Sequence, residues 1–284
     1  MQDLKSQLMD GTKIISIILP NFNGGNNLRE SIESFTNQKS DSCELIIVDS
    51  KSSDNSHQII EEFTKKYPSI RWIKETDSGI SDAINIGLRH AKGSYIGYLG
   101  SDDRLVADIL GVVISYTKLV DADSFYFDSY FYNPFEKLCQ YRRCPALEFT
   151  RENLYKYGTI VGLQNIFLHK RIFANYKFNS NNKYSMDYEL FLEMTTHAGV
   201  HMYIPQPSSI NLFGGNISQH LKEQQFYESI QVSLRNAKTK KEKYYTFLRF
   251  IKVHPRIKFF WPIRRFCVRI FNKTSYQQSL KNKL

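Results

Sequence analysis

Short apolar runs alternate with segments of helical spacing over the first hundred residues. Apolar runs occupy residues 14–19, 44–48, 70–73 and 95–99. Between the last two, apolar residues from Ile80 to Ala91 follow one another at i, i+3, i+4, i+7, i+8 and i+11. Short apolar runs predict buried strands, and this spacing predicts a helix with one apolar face. The alternation predicts a parallel sheet with helices on both faces.

Polar residues follow three of the predicted strands. Asn21–Asn23 come after the first strand, Asp49 after the second and Asp102–Asp103 after the fourth. In open α/β sheets, ligands bind outside the carboxyl ends of the strands. Two adjacent carboxylates there repel each other unless a cation lies between them and an anionic ligand. The pattern indicates a candidate metal and ligand site, although a solvated Asp-Asp turn fits the same spacing.

Four linked segments resemble the family 2 inverting glycosyltransferases. Ser16–Asn23 is similar to their first strand and loop, and Leu45–Asp54 to their second. Asp77–Gly87 is similar to the segment D-x-G-I-x-D-A-x-N-x-G of the branch that assembles bacterial surface polysaccharides, including O-antigens and capsules. Leu99–Asp103 completes the set in the expected order. The resemblance is strong over residues 14–105 and patchier to about residue 220.

The resemblance implies a GT-A fold, in which a mostly parallel central sheet is flanked by helices. We expect a catalytic domain over residues 1–220 and a basic, aromatic, helical extension over residues 221–284. Within the catalytic domain, residues 14–105 would bind the nucleotide sugar and residues 120–220 the acceptor. The donor is expected to be a UDP- or GDP-type sugar.

Roles in the donor site also follow from the resemblance. Some side chains are expected to line the base and ribose pocket, and others to face the nucleotide or its diphosphate. Asp102 is expected to contact the ribose or the metal, and Asp103 to ligate the Mn²⁺ or Mg²⁺ that bridges the two phosphates. The pocket residues are Pro20, Asn23 and Asp49, and the residues facing the nucleotide or diphosphate are Asp82 and Asn85.

Residues 162–190 are similar to the acceptor half of the family. There a helix supplies the catalytic base, for which Asp187 is our candidate and Glu189 the second choice. A carboxylate that only caps a helix N-terminus is the alternative for Asp187. The chain departs from the family pattern at a histidine and an arginine of this half and at one glycine of a later Gly-Gly-x-Ser loop. These positions are Leu163, Glu193 and Asn216.

The reaction requires a base and a stabilised leaving group. A base that takes the proton of the acceptor hydroxyl contributes about 10²–10⁴-fold to the rate. A metal ion stabilises the negative charge on the departing nucleoside diphosphate. Direct displacement then inverts the anomeric centre. By resemblance, the acceptor is expected to be a glycan, carried on a lipid diphosphate.

Charge is distributed unevenly along the chain. From Arg235 onward there are 15 basic residues and one acid, Glu242, whereas the net charge of the whole chain is +10. The first 234 residues are therefore mildly acidic. Residues 244–252 and 257–271 interleave aromatic and basic side chains, a combination that suits an anionic membrane surface. A helical extension packed on the body or on a second subunit is the alternative.

Nucleic acid is disfavoured as a partner by the acidic body and by the lack of any nucleic-acid-binding motif. No apolar run of about 18 residues occurs, and residues 1–11 do not resemble a signal peptide. These observations predict a cytoplasmic protein, peripheral on the cytoplasmic face of the inner membrane. The four cysteines form neither a disulfide framework nor a zinc pattern.

Two other functions are alternatives. A non-catalytic protein that binds nucleotide sugars or serves as a membrane scaffold would explain the departures at Leu163 and Glu193. A nucleotidyltransferase on a related fold would need a glycine-rich, basic phosphate loop at its first strand, which this sequence lacks.

Overall fold

The computed structural model describes residues 13–145, 148–212 and 222–253. These residues form nine strands, eight α-helices and two short 3₁₀ helices, Leu163–Asn165 and Lys170–Ala174. The strands are β1 (Ile15–Pro20), β2 (Cys43–Val48), β3 (Ile70–Ile73), β4 (Tyr95–Tyr98), β5 (Arg104–Leu105), β6 (Ser124–Asn133), β7 (Leu138–Arg142), β8 (Ile166–His169) and β9 (His201–Leu212). The helices are α1 (Gly25–Thr36), α2 (Ser56–Lys66), α3 (Ile80–His90), α4 (Ile109–Thr117), α5 (Arg151–Tyr157), α6 (Met186–Met194), α7 (Lys222–Asn236) and α8 (Lys240–Val253).

The strands form one sheet in the order β3-β2-β1-β4-β8-β6-β9-β5, with β7 paired to β6. The strands β1 to β4 are parallel, as predicted, whereas the second half of the sheet is mixed. From β1 the chain runs outward to β2 and β3 and then returns to β4 on the other side of β1. The loops after β1 and β4 therefore diverge, which opens a crevice at the carboxyl ends of these strands.

Both faces of the sheet are covered, which explains why β2 is apolar and buried along nearly its whole length. Two apolar clusters lie on opposite sides of the sheet, and residues of β1 and β2 alternate between them. Helix α3 packs closely on β1 because Gly87 has no side chain. A Cβ atom at Gly87 would lie 2.5 Å from Ile18 Cγ2.

Helices α5 to α8 pack together beside the second half of the sheet. Arg151 of α5 connects three of them: its Nε pairs with Glu242 Oε1 at 2.6 Å, and its Nη1 and Nη2 donate to Leu192 O and Asn236 O, both at 2.5 Å. The prediction that the chain is helical after residue 221 is confirmed for residues 222–253. In the part of the chain that the structure describes, no helix is long and apolar enough to cross a bilayer.

Three regions named in the sequence analysis lie outside the described residues. They are residues 1–11, the predicted loop that contains Asn216, and the part of the basic tail from residue 254 onward. For residues 240–253, the structure has a helix packed against the body, the arrangement considered above as the alternative to membrane docking.

Candidate active site

Asp103 lies in the crevice, just beyond the end of β4, and is only 2% exposed. Its backbone N–H donates to Gly100 O at 3.1 Å, and its carbonyl accepts a 2.5 Å hydrogen bond from Ser31 Oγ. Its Oδ1 accepts a 3.3 Å hydrogen bond from the backbone N–H of Leu212, at the end of β9. These contacts from α1, the β4 loop and β9 hold the carboxylate in a fixed direction.

The carboxylates of Asp102 and Asp103 converge over Gly100. A Cβ atom at Gly100 would lie 2.7 Å from Asp103 Oδ2 and 2.9 Å from Asp102 Oδ1. Only glycine therefore fits beneath the pair. Burial and then the charge of Asp102 raise the pKa of Asp103 to about 8, and burial raises the pKa of Asp102 as well. Among the described residues, no positive charge contributes to the pKa of either carboxylate.

A divalent cation fits this donor set. Mg²⁺ and Mn²⁺ are bound by one or two carboxylates and complete their coordination with water and phosphate oxygens. Among the described residues, no group of three or more His, Cys, Asp or Glu side chains is arranged to hold a metal. Oxygens of a bound phosphate and of water could complete the coordination of an ion at Asp102 and Asp103.

Asp49 is fully buried at the end of β2 and connects the loops after β1 and β2. Its Oδ2 accepts a 2.6 Å hydrogen bond from Asn21 Nδ2. Its Oδ1 accepts hydrogen bonds from the N–H groups of Lys51 and Ser52, at 3.2 and 3.1 Å, and lies 3.2 Å from His57 Nε2. The carboxylate is thus engaged within the protein, and it shapes the wall of the crevice.

Pro20 and Asn23 lie in the same wall. The backbone N–H of Asn23 donates to Ser52 Oγ, and its Oδ1 accepts from Ser53 N, both at 2.8 Å. Phe22 between them is 68% exposed, although it is a large apolar residue. Phe22 is not among the site residues predicted from the sequence. An aromatic residue inside an otherwise polar loop was the available signal.

Asp82 and Asn85 of α3 differ in how free their side chains are. Asp82 Oδ2 accepts 3.0 Å hydrogen bonds from both the N–H and the Oγ of Ser78, which closes the first turn of the helix. Asn85 binds the backbone of Phe178 with both ends of its amide, at 2.8 and 3.1 Å. The Asn85 amide therefore holds the chain at Phe178 against α3.

Asp187 is the second residue of α6 and is partly buried. Burial, together with the negative charge of Glu228, raises its pKa to about 6, although its Oδ1 accepts a 2.7 Å hydrogen bond from Tyr188 N. Glu189 is only 7% exposed and has both oxygens engaged. Its partners are Asn179 Nδ2, Asn182 Nδ2 and Arg235 Nη2, at 3.0, 3.1 and 3.3 Å. Asp187 has the freer carboxylate of the two.

Tyr98, the last residue of β4, interacts electrostatically with both Asp102–Asp103 and Asp187. Burial raises the pKa of its hydroxyl, and the negative charges of Asp103, Asp102 and Asp187 raise it further, in that order. The Tyr98 hydroxyl therefore lies within electrostatic reach of all three carboxylates. Tyr98 was not identified from the sequence, where it is one of several aromatic residues in an apolar run.

Two of the three departures from the family pattern, Leu163 and Glu193, lie among the described residues. Leu163 is buried and lines a small apolar cavity with Ile84, Tyr98 and Phe178. Glu193, in the last turn of α6, is partly buried, and burial followed by the charge of Glu189 raises its pKa. An apolar side chain at position 163 cannot donate the hydrogen bond that a histidine would offer.

A family model described as "Glycosyl transferase family 2" matches residues 16–185, more than half of the chain. Over 109 residues the chain is 40% identical to the minor teichoic acid biosynthesis protein GgaA of Bacillus subtilis, covering 36% of this chain and 24% of that protein. The chain spans about a quarter of the length of such curated relatives.

Solved structures resemble the fold over most of the chain. TarS 1-349 of S. aureus in complex with UDP-GlcNAc superimposes with a TM-score of 0.63 at 13% identity, covering 84% of this chain and 73% of that one. The mannosyltransferase PcManGT from Pyrobaculum calidifontis, in complex with GDP-Man and Mn²⁺, gives a TM-score of 0.64 at 13% identity, covering 96% and 82%. At this identity the likeness concerns the fold, and the predicted GT-A fold is confirmed.

Proposed function

Because the chain belongs to glycosyl transferase family 2, we propose that it transfers a sugar from a nucleoside diphosphate sugar to a hydroxyl group of a glycan, with inversion at the anomeric carbon. One observation carries the proposal. Asp102–Asp103, suited to a metal-bound diphosphate, and Asp187, suited to a base, all act electrostatically on the one hydroxyl of Tyr98. Direct displacement requires such a base and such a stabilised leaving group near one another.

In this mechanism Asp187 takes the proton of the acceptor hydroxyl as its oxygen attacks the anomeric carbon. The bond between that carbon and the β-phosphate oxygen breaks, and the nucleoside diphosphate leaves with the electron pair. A divalent ion held by Asp103 and Asp102 would supply Lewis-acid stabilisation of that charge. A base is most effective when its pKa lies near the working pH, which suits the raised pKa of Asp187.

The nucleotide would lie against the loops after β1 and β2. Pro20, Asn23 and Asp49 would shape its pocket, and Phe22 offers an exposed ring on which a base could stack. Asp82 would face the nucleotide or its diphosphate. We do not include Asn85 in the donor site, because both ends of its side-chain amide are hydrogen-bonded to the backbone of Phe178. The complexes of TarS with UDP-GlcNAc and of PcManGT with GDP-Man support a UDP- or GDP-type donor.

We further propose that the acceptor belongs to a bacterial surface polysaccharide and is carried on a lipid. The similarity to GgaA, a teichoic acid biosynthesis protein, supports this assignment. The protein would then work at the cytoplasmic face of the inner membrane, with residues 1–220 as the catalytic domain and residues 221–284 as the extension that binds the anionic surface.

The outward face of α8 supports membrane docking. Tyr244 and Phe247 are 53% and 57% exposed, and Lys240 and Lys243 lie on the same side of the helix. The opposite side, with Thr246 and Arg249, is buried against the body. Exposed aromatic rings beside lysines suit the interface of an anionic bilayer.

A donor screen tests the proposed function. Nucleotide sugars are added with Mn²⁺, and thermal shift identifies the one that stabilises the folded chain, since a ligand of the native state raises its stability. Transfer from that donor to glycan acceptors is then measured. Product formation would exclude the non-catalytic alternative, which the apolar Leu163 favours. The proposal fails if no donor that binds is ever turned over.

A further inference from the structure

Glu228, on α7, binds the loop that precedes α6. Its Oε1 accepts a 2.9 Å hydrogen bond from the backbone N–H of Lys183. Its Oε2 accepts hydrogen bonds from the backbone N–H groups of Tyr184 and Ser185, at 2.6 and 2.8 Å. Three successive backbone donors thus converge on one carboxylate, an arrangement that binds anions firmly.

A second set of contacts ties the same loop to α7. Ser185 Oγ donates to Gln225 O, and Gln225 Nε2 donates to Tyr184 O, both at 3.1 Å. Ser185 directly precedes the first residue of α6, and Asp187 is the second. Fixing residues 183–185 therefore fixes the direction in which the first turn of α6 presents the Asp187 carboxylate.

Glu228 also faces Asp187 electrostatically, and its charge contributes to the raised pKa of Asp187. Two other titratable groups near Asp187, those of Glu189 and Tyr98, do not present an unpaired charge. Glu189, on the same helix, is paired with Arg235 and two asparagine amides. Tyr98, on β4, is neutral because its pKa is raised. The negative charge of Glu228, on the neighbouring helix α7, therefore acts on Asp187.

We propose that Glu228 is a positioning residue for glycosyl transfer: it clamps residues 183–185 and so orients Asp187 toward the acceptor hydroxyl. The proposal rests on the proposed function, in which Asp187 is the base. Glu228 lies beyond residues 16–185, the part of the chain that matches the family model. The C-terminal helices would therefore complete the acceptor side of the active site in addition to any role at a membrane.

The test compares Glu228→Gln with Glu223→Gln in the full chain. Glutamine keeps the shape of Glu228 but replaces one acceptor oxygen with an NH₂ group, which cannot accept from the backbone N–H groups that face it. Glu223 is exposed near the start of the same helix and contacts none of the loop residues in the hydrogen bonds described above. Rates of transfer are measured against pH, and amide hydrogen exchange is followed over residues 183–185.

For Glu228→Gln we expect kcat to fall about tenfold, because a small misplacement of a reacting group is costly. The KM for the donor should stay within about twofold. The acid limb of the rate profile should move to lower pH by about half a unit, since removing a negative charge lowers the pKa of Asp187. Exchange over residues 183–185 should accelerate, and Glu223→Gln should match the wild type in every measurement. Donor-induced thermal shift shows that the variant is folded.

The proposal is overturned if Glu228→Gln keeps the wild-type kcat and pH profile, or if only the donor KM changes. It is also overturned if exchange over residues 183–185 is unchanged. Failure of the proposed function gives different results. A wild-type chain that binds donors and never transfers sugar would refute the enzyme, and Asp187→Asn with wild-type transfer would refute that base, each without any change in the exchange result for Glu228→Gln.

Discussion

Arg249 Nη1 donates a 2.8 Å hydrogen bond to the hydroxyl of Tyr188, the residue that follows Asp187. The guanidinium also donates to Leu154 O, Ser229 O and Ser233 Oγ, at 3.2, 3.2 and 2.7 Å. Its carbon lies 4.9 Å from the centre of the Tyr188 ring. Arg249 is 7% exposed, and no described carboxylate pairs with it. Helix α8 is therefore anchored in the core beside the candidate base.

We predict that Arg249→Met lowers the free energy of unfolding by about 2–4 kcal/mol, because buried acceptors lose their donors. Urea denaturation measures the change. Lys252→Met, at an exposed position near the end of the same helix, serves as the control and should alter stability by less than about 0.5 kcal/mol. Equal stabilities for the two variants would contradict the anchoring role.

Asp103 should make the metal-free protein less stable as pH rises. Its folded-state pKa, about 8, lies above the ordinary value of 3.8, so its contribution is fully present below about pH 4 and is lost as pH rises toward 8. The loss is at most about 6 kcal/mol. Asp103→Asn, which imitates the protonated acid, should flatten this slope in EDTA. Thermal unfolding at several pH values measures both proteins, and identical slopes would contradict the prediction.

The same substitution should abolish the stabilisation that Mn²⁺ and donor give together. An amide oxygen is a weaker ligand than a carboxylate, so the variant should be more stable than the wild type at pH 8 in EDTA but unresponsive to metal. A wild-type response to Mn²⁺ and donor in Asp103→Asn would remove Asp103 from the metal site.

Asp187→Asn should reduce sugar transfer by at least about a hundredfold while leaving donor-induced thermal shift intact. In the wild type, kcat should increase as pH rises through about 6, because the base acts only when it is deprotonated. Steady-state rates across pH measure both effects. Glu189→Gln, which breaks a bond to Arg235, should mainly lower stability. If Glu189→Gln abolished transfer and Asp187→Asn did not, the two roles would be exchanged.

Strands β1 to β4 could be predicted because their signals are local. Each is a short, mainly apolar run, and candidate site residues follow three of them: Asn21–Asn23 after β1, Asp49 after β2 and Asp102–Asp103 after β4. The second half of the sheet carries weaker signals. In β9, Pro205 and Pro207 interrupt the strand pattern. In β6, the first six residues are buried and the later ones are half-buried and mainly aromatic, so neither a continuous apolar run nor a regular alternation marks the whole strand.

Side-chain roles were harder to predict than strands. Asn85 matches a motif position, yet its amide is used by Phe178, 93 residues away. Glu228 and Arg249 carry no local signal, because their importance arises from contacts with a loop and a helix 43 to 61 residues earlier in the chain. Tertiary contacts of this kind have no pattern that a single sequence can display.

The packing of α8 determines how membrane docking should be tested. A truncation near Lys240 would remove Arg249 and destabilise the body, so a loss of vesicle binding would be uninformative. Removing residues 254–284 keeps α8 and deletes eight basic residues and no acid. We predict that this truncation weakens sedimentation with vesicles containing phosphatidylglycerol, while donor-induced thermal shift persists.

Tyr244→Ser with Phe247→Ser, on the exposed face of α8, tests the apolar contribution separately. The double variant should bind the same vesicles more weakly and remain folded, since neither ring is buried. Binding should also weaken with added salt, because each basic residue near an anionic surface contributes about 1 kcal/mol and is screened by ions. Equal binding of the full chain to neutral and anionic vesicles, or binding to neither, would contradict docking through the charge of the tail. The basic residues would then bind a partner other than the membrane. Packing of the tail on a second subunit would then be the arrangement to examine, by measuring the mass of the protein in solution.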